Sequence, residues 1–197
     1  MNRRQPFSPG RRKLLTALAG AGTVAGVAWL RPGEIDGGHN AYFRNLQQAV
    51  RSAGLARPTL VIDRERLDHN LQTLLTTLDG QYAYRIVAKS LPSIPLLAHL
   101  MEAGNTRRLM VFHQPFLNQV AEQLPQSDVL LGKPMPVAGA GQFYRDWAAG
   151  SRAMDPARQV QWLIDTPERL SQYHQLARQT GQRLRISLEI DIGLHRG

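Results

Sequence analysis

Lys89 and Lys133 are the only lysines after residue 33, in a stretch that holds 16 arginines. An arginine-favouring chain that keeps a lysine has kept an amine that can lose its proton and attack a carbonyl carbon, which a guanidinium cannot do. Lys89 follows the apolar run Ile86-Val87-Ala88, at the end of a short strand, where burial would favour the neutral, nucleophilic amine. The same placement also suits a lysine that merely pairs with a carboxylate. Lys133 is the rival amine, but Pro134 and Pro136 set it on a stiff loop. His113 closes the next apolar run and His195 lies near the end of the sequence; each is within reach of a strand-end site or simply solvated. His39, His69, His99 and His174 show no metal-ligand spacing. Without cysteine, thiol nucleophiles, disulfides and zinc–thiolate centres are excluded.

Positioning Lys89 requires an alternation of strands and helices, and the sequence carries one. Strands are predicted at Thr59–Asp63, Arg85–Ala88, Leu109–Phe112, Val129–Leu131, Val160–Ile164 and Arg185–Ile190. Helices are predicted near 41–53, 67–78, 94–103, 115–123, 140–149 and 167–179. Leu67, Leu71, Leu74, Leu75 and Leu78 fall at helical spacing. Thr166 before Pro167 is an N-cap followed by proline at the first helical position. Short apolar strands separated by helices imply an α/β fold with parallel strands, because right-handed crossovers return each helix to the sheet. About five strand-helix units cannot close an eight-stranded barrel, so the expectation is a partial TIM (β/α)8 barrel. An open, doubly wound sheet is the alternative, yet no G-x-G-x-x-G follows the first strand. In a barrel, chemistry belongs at the carboxyl ends of the strands, namely Lys89, His113, Gly132-Lys133, Asp165 and residues 191–197.

Residues 1–33 differ from all that follows. Arg3, Arg4, Arg11, Arg12 and Lys13 precede an uncharged run of 17 residues, Leu14 to Leu30. This is the layout of an export signal, and the string Ser8-Pro9-Gly10-Arg11-Arg12-Lys13-Leu14-Leu15 resembles a twin-arginine signal. Gly26-Val27-Ala28 offers small residues for cleavage; left uncleaved, the run is at the lower edge of what anchors a chain in a bilayer. The expected location is periplasmic or exported, with membrane contact only through this segment. Residues 34–57 read as a polar linker and a helix, and residues 58–197 as the barrel portion.

The net charge of +9 is also a property of the start. Residues 1–33 hold six basic groups and no acid, which leaves 18 basic and 15 acidic groups, or +3, for residues 34–197. Those arginines are scattered among acids rather than clustered on one face, so no nucleic-acid partner is expected.

Thr59-Leu60-Val61-Ile62-Asp63, then Arg85-Ile86-Val87-Ala88-Lys89-Ser90-Leu91-Pro92, and finally Glu189-Ile190-Asp191-Ile192-Gly193-Leu194-His195-Arg196-Gly197 together resemble the alanine racemase N-terminal domain superfamily, which uses pyridoxal 5'-phosphate (PLP). The likeness covers most of residues 58–197 and is nearest to the D-serine dehydratase and D-threonine aldolase branch. It implies that Lys89 carries PLP as a Schiff base and that Arg196, from the Asp-x-Gly-x-x-Arg motif, lies near the cofactor ring oxygen and the substrate. His113 is taken as a further cofactor contact. Alanine racemases open that motif with lysine, whereas Glu189 stands here, which counts against simple alanine racemization. Implied for the whole protein are a lyase acting at Cα of a D-amino or hydroxy-amino acid, a small amino-acid substrate and a homodimer. Amino-acid racemization and non-catalytic PLP binding are the alternatives. No metal site is expected in this segment; a divalent metal would come only through the family's carboxyl-terminal β domain. The family's phosphate cradle comes mainly from later barrel strands, and both it and that domain would lie beyond these residues, so the segment is expected to lack turnover alone and to expose apolar edges.

Overall fold

The computed structural model describes residues 38–190 and Gly193. The signal-like segment 1–33 and the motif residues Asp191, His195 and Arg196 lie outside the described residues. The chain divides into two units, residues 1–61 and residues 62–197.

In the first unit, helix α1 (Ala41–Ser52) begins where Asn40 accepts the Phe43 amide through its side chain. The strand predicted at Thr59–Asp63 is not formed. No described strand pairs with it, and an extended segment without a ladder partner keeps its backbone groups on water. Leu60, Val61 and Ile62 are accordingly exposed.

The second unit runs α2 (Arg64–Leu78), β1 (Ile86–Val87), α3 (Ile94–Ala103), β2 (Arg108–Val111), α4 (Gln114–Gln123), β3 (Asp128–Leu131), α5 (Val137–Ala149), α6 (Pro156–Gln159), β4 (Val160–Ile164), α7 (Pro167–Thr180) and β5 (Arg185–Leu188). All strand pairs are parallel and the spatial order is β1-β2-β3-β4-β5, the order of the chain. A doubly wound sheet would reverse its order at a switch point; a sequential parallel order, with one core shared by the strands and the helices between them, is the arc of a (β/α) barrel. The fold is therefore α/β, a parallel five-stranded part of a TIM-type barrel.

Alternation along each strand decides what the two faces do. Ile86, Leu109, Val111, Val129, Leu131, Val160, Trp162 and Ile164 are buried and pack with helical residues into one core. Trp162 is its largest member, with Phe143, Tyr144 and Tyr173 ringed about it at centroid distances of 5.7–6.0 Å. Its indole N–H donates to the Tyr144 hydroxyl at 3.1 Å, so the one polar edge of the ring is satisfied inside the core. On β5, Ile186 and Leu188 lie on the helix-side face, in register with Trp162 and Ile164, yet are exposed because no described helix covers them.

The helices start where the sequence supplies caps. Asp63, Asp155 and Thr166 each accept a first-turn amide of α2, α6 and α7, which satisfies donors a helix leaves free. The expected helix over 140–149 begins earlier, at Val137, directly after Pro136. The short α6 was not anticipated; four residues give no periodicity to read.

Candidate functional site at the strand ends

Register sorts the strand residues into layers on the open face of the sheet. Val87 pairs with Met110, Met110 with Leu130, Leu130 with Gln161 and Gln161 with Arg185. Two residues further along each strand, the next layer holds Lys89, Phe112, Gly132, Leu163 and Ser187. The ladder continues beyond the named strands to support that layer: the Ala88 amide donates to the Met110 carbonyl at 2.9 Å, and the Gly132 amide to the Val111 carbonyl at 2.8 Å.

Lys89 is exposed on this face, with Nζ 5.3 Å from the centroid of the Phe112 ring. That distance is within the range of a cation–π contact. Phe112 in turn rests on Gly132. A Cβ built at Gly132 would stand 2.6 Å from Phe112 Cε1, 2.7 Å from Cζ and 2.8 Å from Met110 Cγ. A Cβ there would have to push the Phe112 ring and the Met110 side chain aside, so glycine is favoured by the ring's closeness to the backbone, not by a special backbone angle. Sequence reasoning marked Gly132 as a strand end but gave neither it nor Phe112 a role; the signal was the alternation Met110-x-Phe112, which becomes readable only once strand register is known.

The other strand ends have different tasks. His113 is exposed and N-caps α4: its Nδ1 accepts the Phe116 amide at 3.3 Å. Alternation places it opposite Phe112, so the structure does not bring it onto the Lys89 face. Lys133 is exposed on the loop from β3 to α5. That loop is tied down at the Met135 carbonyl, which accepts from Arg169 Nη1 at 2.8 Å and from the Tyr173 hydroxyl at 3.0 Å. Asp165, ending β4, accepts from Arg169 Nε at 2.7 Å, and this hydrogen bond is the main cause holding its carboxyl below the usual carboxylate range. Glu189 is half-buried on the Arg185–Ser187 face, the same face as Lys89, with its amide donating to the Ile164 carbonyl at 2.9 Å.

At the opposite end of the same face, Asp128 gathers charge. Arg85 donates to its carboxylate at 2.7 Å and to its carbonyl at 2.9 Å, Gln161 Nε2 donates at 3.2 Å, and Arg185 Nη1 stands 3.5 Å away. This network lies at the amino ends of the strands, the end of a barrel that serves stability. A separate concavity in the helical layer, lined by Asn118, Asp146 and Trp147 among others, includes no strand-end residue. Among the described residues, no group of three or more histidines, aspartates or glutamates is placed to hold a metal, and no helix is long and apolar enough to cross a membrane.

An exposed amine at a strand mouth, beside a flat ring seated on a glycine, suits an aromatic aldehyde. The amine supplies the covalent attachment and the ring a flat apolar contact.

A family model described as alanine racemase, N-terminal domain, matches residues 62–197. A search of curated proteins gives no match. Among solved structures, a D-threo-3-hydroxyaspartate dehydratase H351A mutant superposes with a TM-score of 0.61 at 19% identity, over 78% of this chain and 39% of that one. A D-threonine aldolase from Filomicrobium marinum superposes with a TM-score of 0.57 at 18% identity, over 71% of this chain and 36% of that one. Both likenesses are of fold, and the chain spans less than two fifths of either protein's length.

Proposed function

The chain belongs to the alanine racemase N-terminal domain family, and from that premise we propose that it forms the cofactor-bearing part of a PLP-dependent lyase acting at Cα of a D-amino or hydroxy-amino acid. The observation that carries this reading is Lys89: the amine that the family resemblance implies for cofactor attachment ends β1 on the open face, beside Phe112 and Gly132.

When bound, PLP withdraws electrons from Cα of an attached amino acid. The chain's own residues have narrower tasks. Lys89 Nζ would hold the cofactor and would supply the amine that moves a proton at Cα of the substrate. Arg196 supplies fixed positive charge toward the cofactor ring oxygen and the substrate. Glu189 stands where alanine racemases have lysine, which weighs against simple alanine racemization. The names of the two structural neighbours, a dehydratase and an aldolase, fit the same preference for bond cleavage over racemization. Export through the twin-arginine route, a small amino-acid substrate and a homodimer of the whole protein complete the reading, with membrane contact only through residues 1–33.

Titration of the chain with PLP tests it. Wild type and Lys133→Ala should both develop the absorbance of a lysine-bound pyridoxyl group, and Lys89→Ala should not. Equal adduct in Lys89→Ala would remove the assignment.

A further inference from the structure

Phe112 is placed where a core residue would not be. The core lies on the helix side of the sheet and includes Leu109 and Val111 but not Phe112, which belongs to the opposite face with Met110. There the ring is nonetheless half-buried, because Gly132 lets it settle onto the backbone of β3, closer than any side chain at 132 would permit. Its backbone is fixed on both sides, by the β2–β3 ladder before it and by the His113 cap of α4 after it. The Lys89 amine stands 5.3 Å from the ring centroid.

We infer that Phe112, seated on Gly132, is a specificity residue for attachment at Lys89: its ring forms the surface on which an aromatic aldehyde packs when it joins that amine. The inference rests on the assignment of Lys89 as the attachment point. It goes further in naming what makes the site prefer an aromatic aldehyde to an aliphatic one. Aromatic contacts of this kind favour a second ring over an alkyl group of similar reach. Attachment itself is balanced and needs no redox partner. The Lys89 nitrogen adds to the aldehyde carbon, the carbonyl oxygen leaves as water, and hydride enters only when borohydride is added to fix the C=N bond.

The experiment compares pyridoxal, which has the ring but no phosphate, with glyoxylate, which has the aldehyde but no ring. Adduct on Lys89 is fixed with borohydride and quantified by mass spectrometry across a concentration series, for the full chain and for Phe112→Leu, Phe112→Tyr and Gly132→Ala. Phe112→Leu should weaken pyridoxal adduct formation by about three- to tenfold, the worth of one aromatic pair, while leaving glyoxylate within twofold. Phe112→Tyr should match wild type. Gly132→Ala, which displaces the ring without removing it, should behave like Phe112→Leu. An equal loss for both aldehydes, or no loss for either, would overturn the role of Phe112 even with Lys89 modified in wild type. Absence of any Lys89 adduct with PLP in wild type would instead overturn the attachment assignment itself.

Discussion

Arg85 reaches from the start of β1 across β2 to β3, donating through Nη1 to the Leu109 carbonyl at 2.8 Å and through Nη2 to Asp128 Oδ1 at 2.7 Å. With Gln161 and Arg185 also on Asp128, a single carboxylate links four of the five strands. β1 is the shortest of them, only Ile86–Val87, so its register depends on this tie more than on its own ladder. Lys89 is three residues from Ile86, and a slip of one residue would turn it to the other face.

Asp128→Asn should therefore destabilise the domain by about 1–3 kcal/mol, the cost of leaving partly buried donors without their charged partner. Thermal or urea unfolding measures it. The loss should be accompanied by faster amide exchange in β1 than in β3.

Alkaline pH should act through the aromatic core. Burial pushes the Tyr144 hydroxyl up from its ordinary value near 10 to about 12, partly offset by the Trp162 hydrogen bond, and burial raises Tyr173 as well. A group whose folded value is raised stabilises fully below its unfolded value, and that stability is lost as pH rises through the folded one. Stability should thus decline from about pH 10 to about pH 12. Spectrophotometric titration should show tyrosine ionisation extending well above the ordinary value near 10. Tyr144→Phe should reduce the alkaline decline, yet cost about 1–3 kcal/mol at neutral pH because it leaves the buried Trp162 N–H unpaired.

Acid should loosen the loop that carries Lys133. Arg169 joins Asp165 to the Met135 carbonyl, and the Arg169 contact depresses the Asp165 carboxyl. A depressed carboxyl stabilises above its unfolded value, and the contribution disappears as pH falls through the folded one. Amide exchange in residues 133–137 should rise only below the usual carboxylate range. Asp165→Asn should reproduce the effect at neutral pH.

Removing the cap of α7 should be nearly additive with Asp128→Asn, which lies at the other end of the strands and shares no partner with it. Thr166→Ala deletes the acceptor for the Arg169 amide and should cost about 1 kcal/mol by denaturant unfolding.

The strand-helix alternation was legible because β2, β3 and β4 are short apolar runs bounded by caps and prolines; Leu109–Val111, Val160–Ile164 and Thr166-Pro167 announce themselves locally. Lys89 was legible by rarity. The sheet's failure to include Thr59–Ile62 was not, since β propensity describes a surface and not the presence of a partner strand. Nor was the Phe112–Gly132 contact, which depends on register between strands separated by a helix. His113 stands out in the sequence by its place at a strand end, whereas its Nδ1 acceptor bond at the start of α4 is visible only in the structure.

The central claim is that Lys89 is the amine that carries PLP. It is tested most directly by incubating the chain with PLP, reducing with borohydride and mapping the modified peptide by mass spectrometry. The account predicts a phosphopyridoxyl mass on Lys89 in stoichiometric yield with Lys133 unmodified; a folded protein with no adduct, or with the adduct on Lys133 alone, would contradict it.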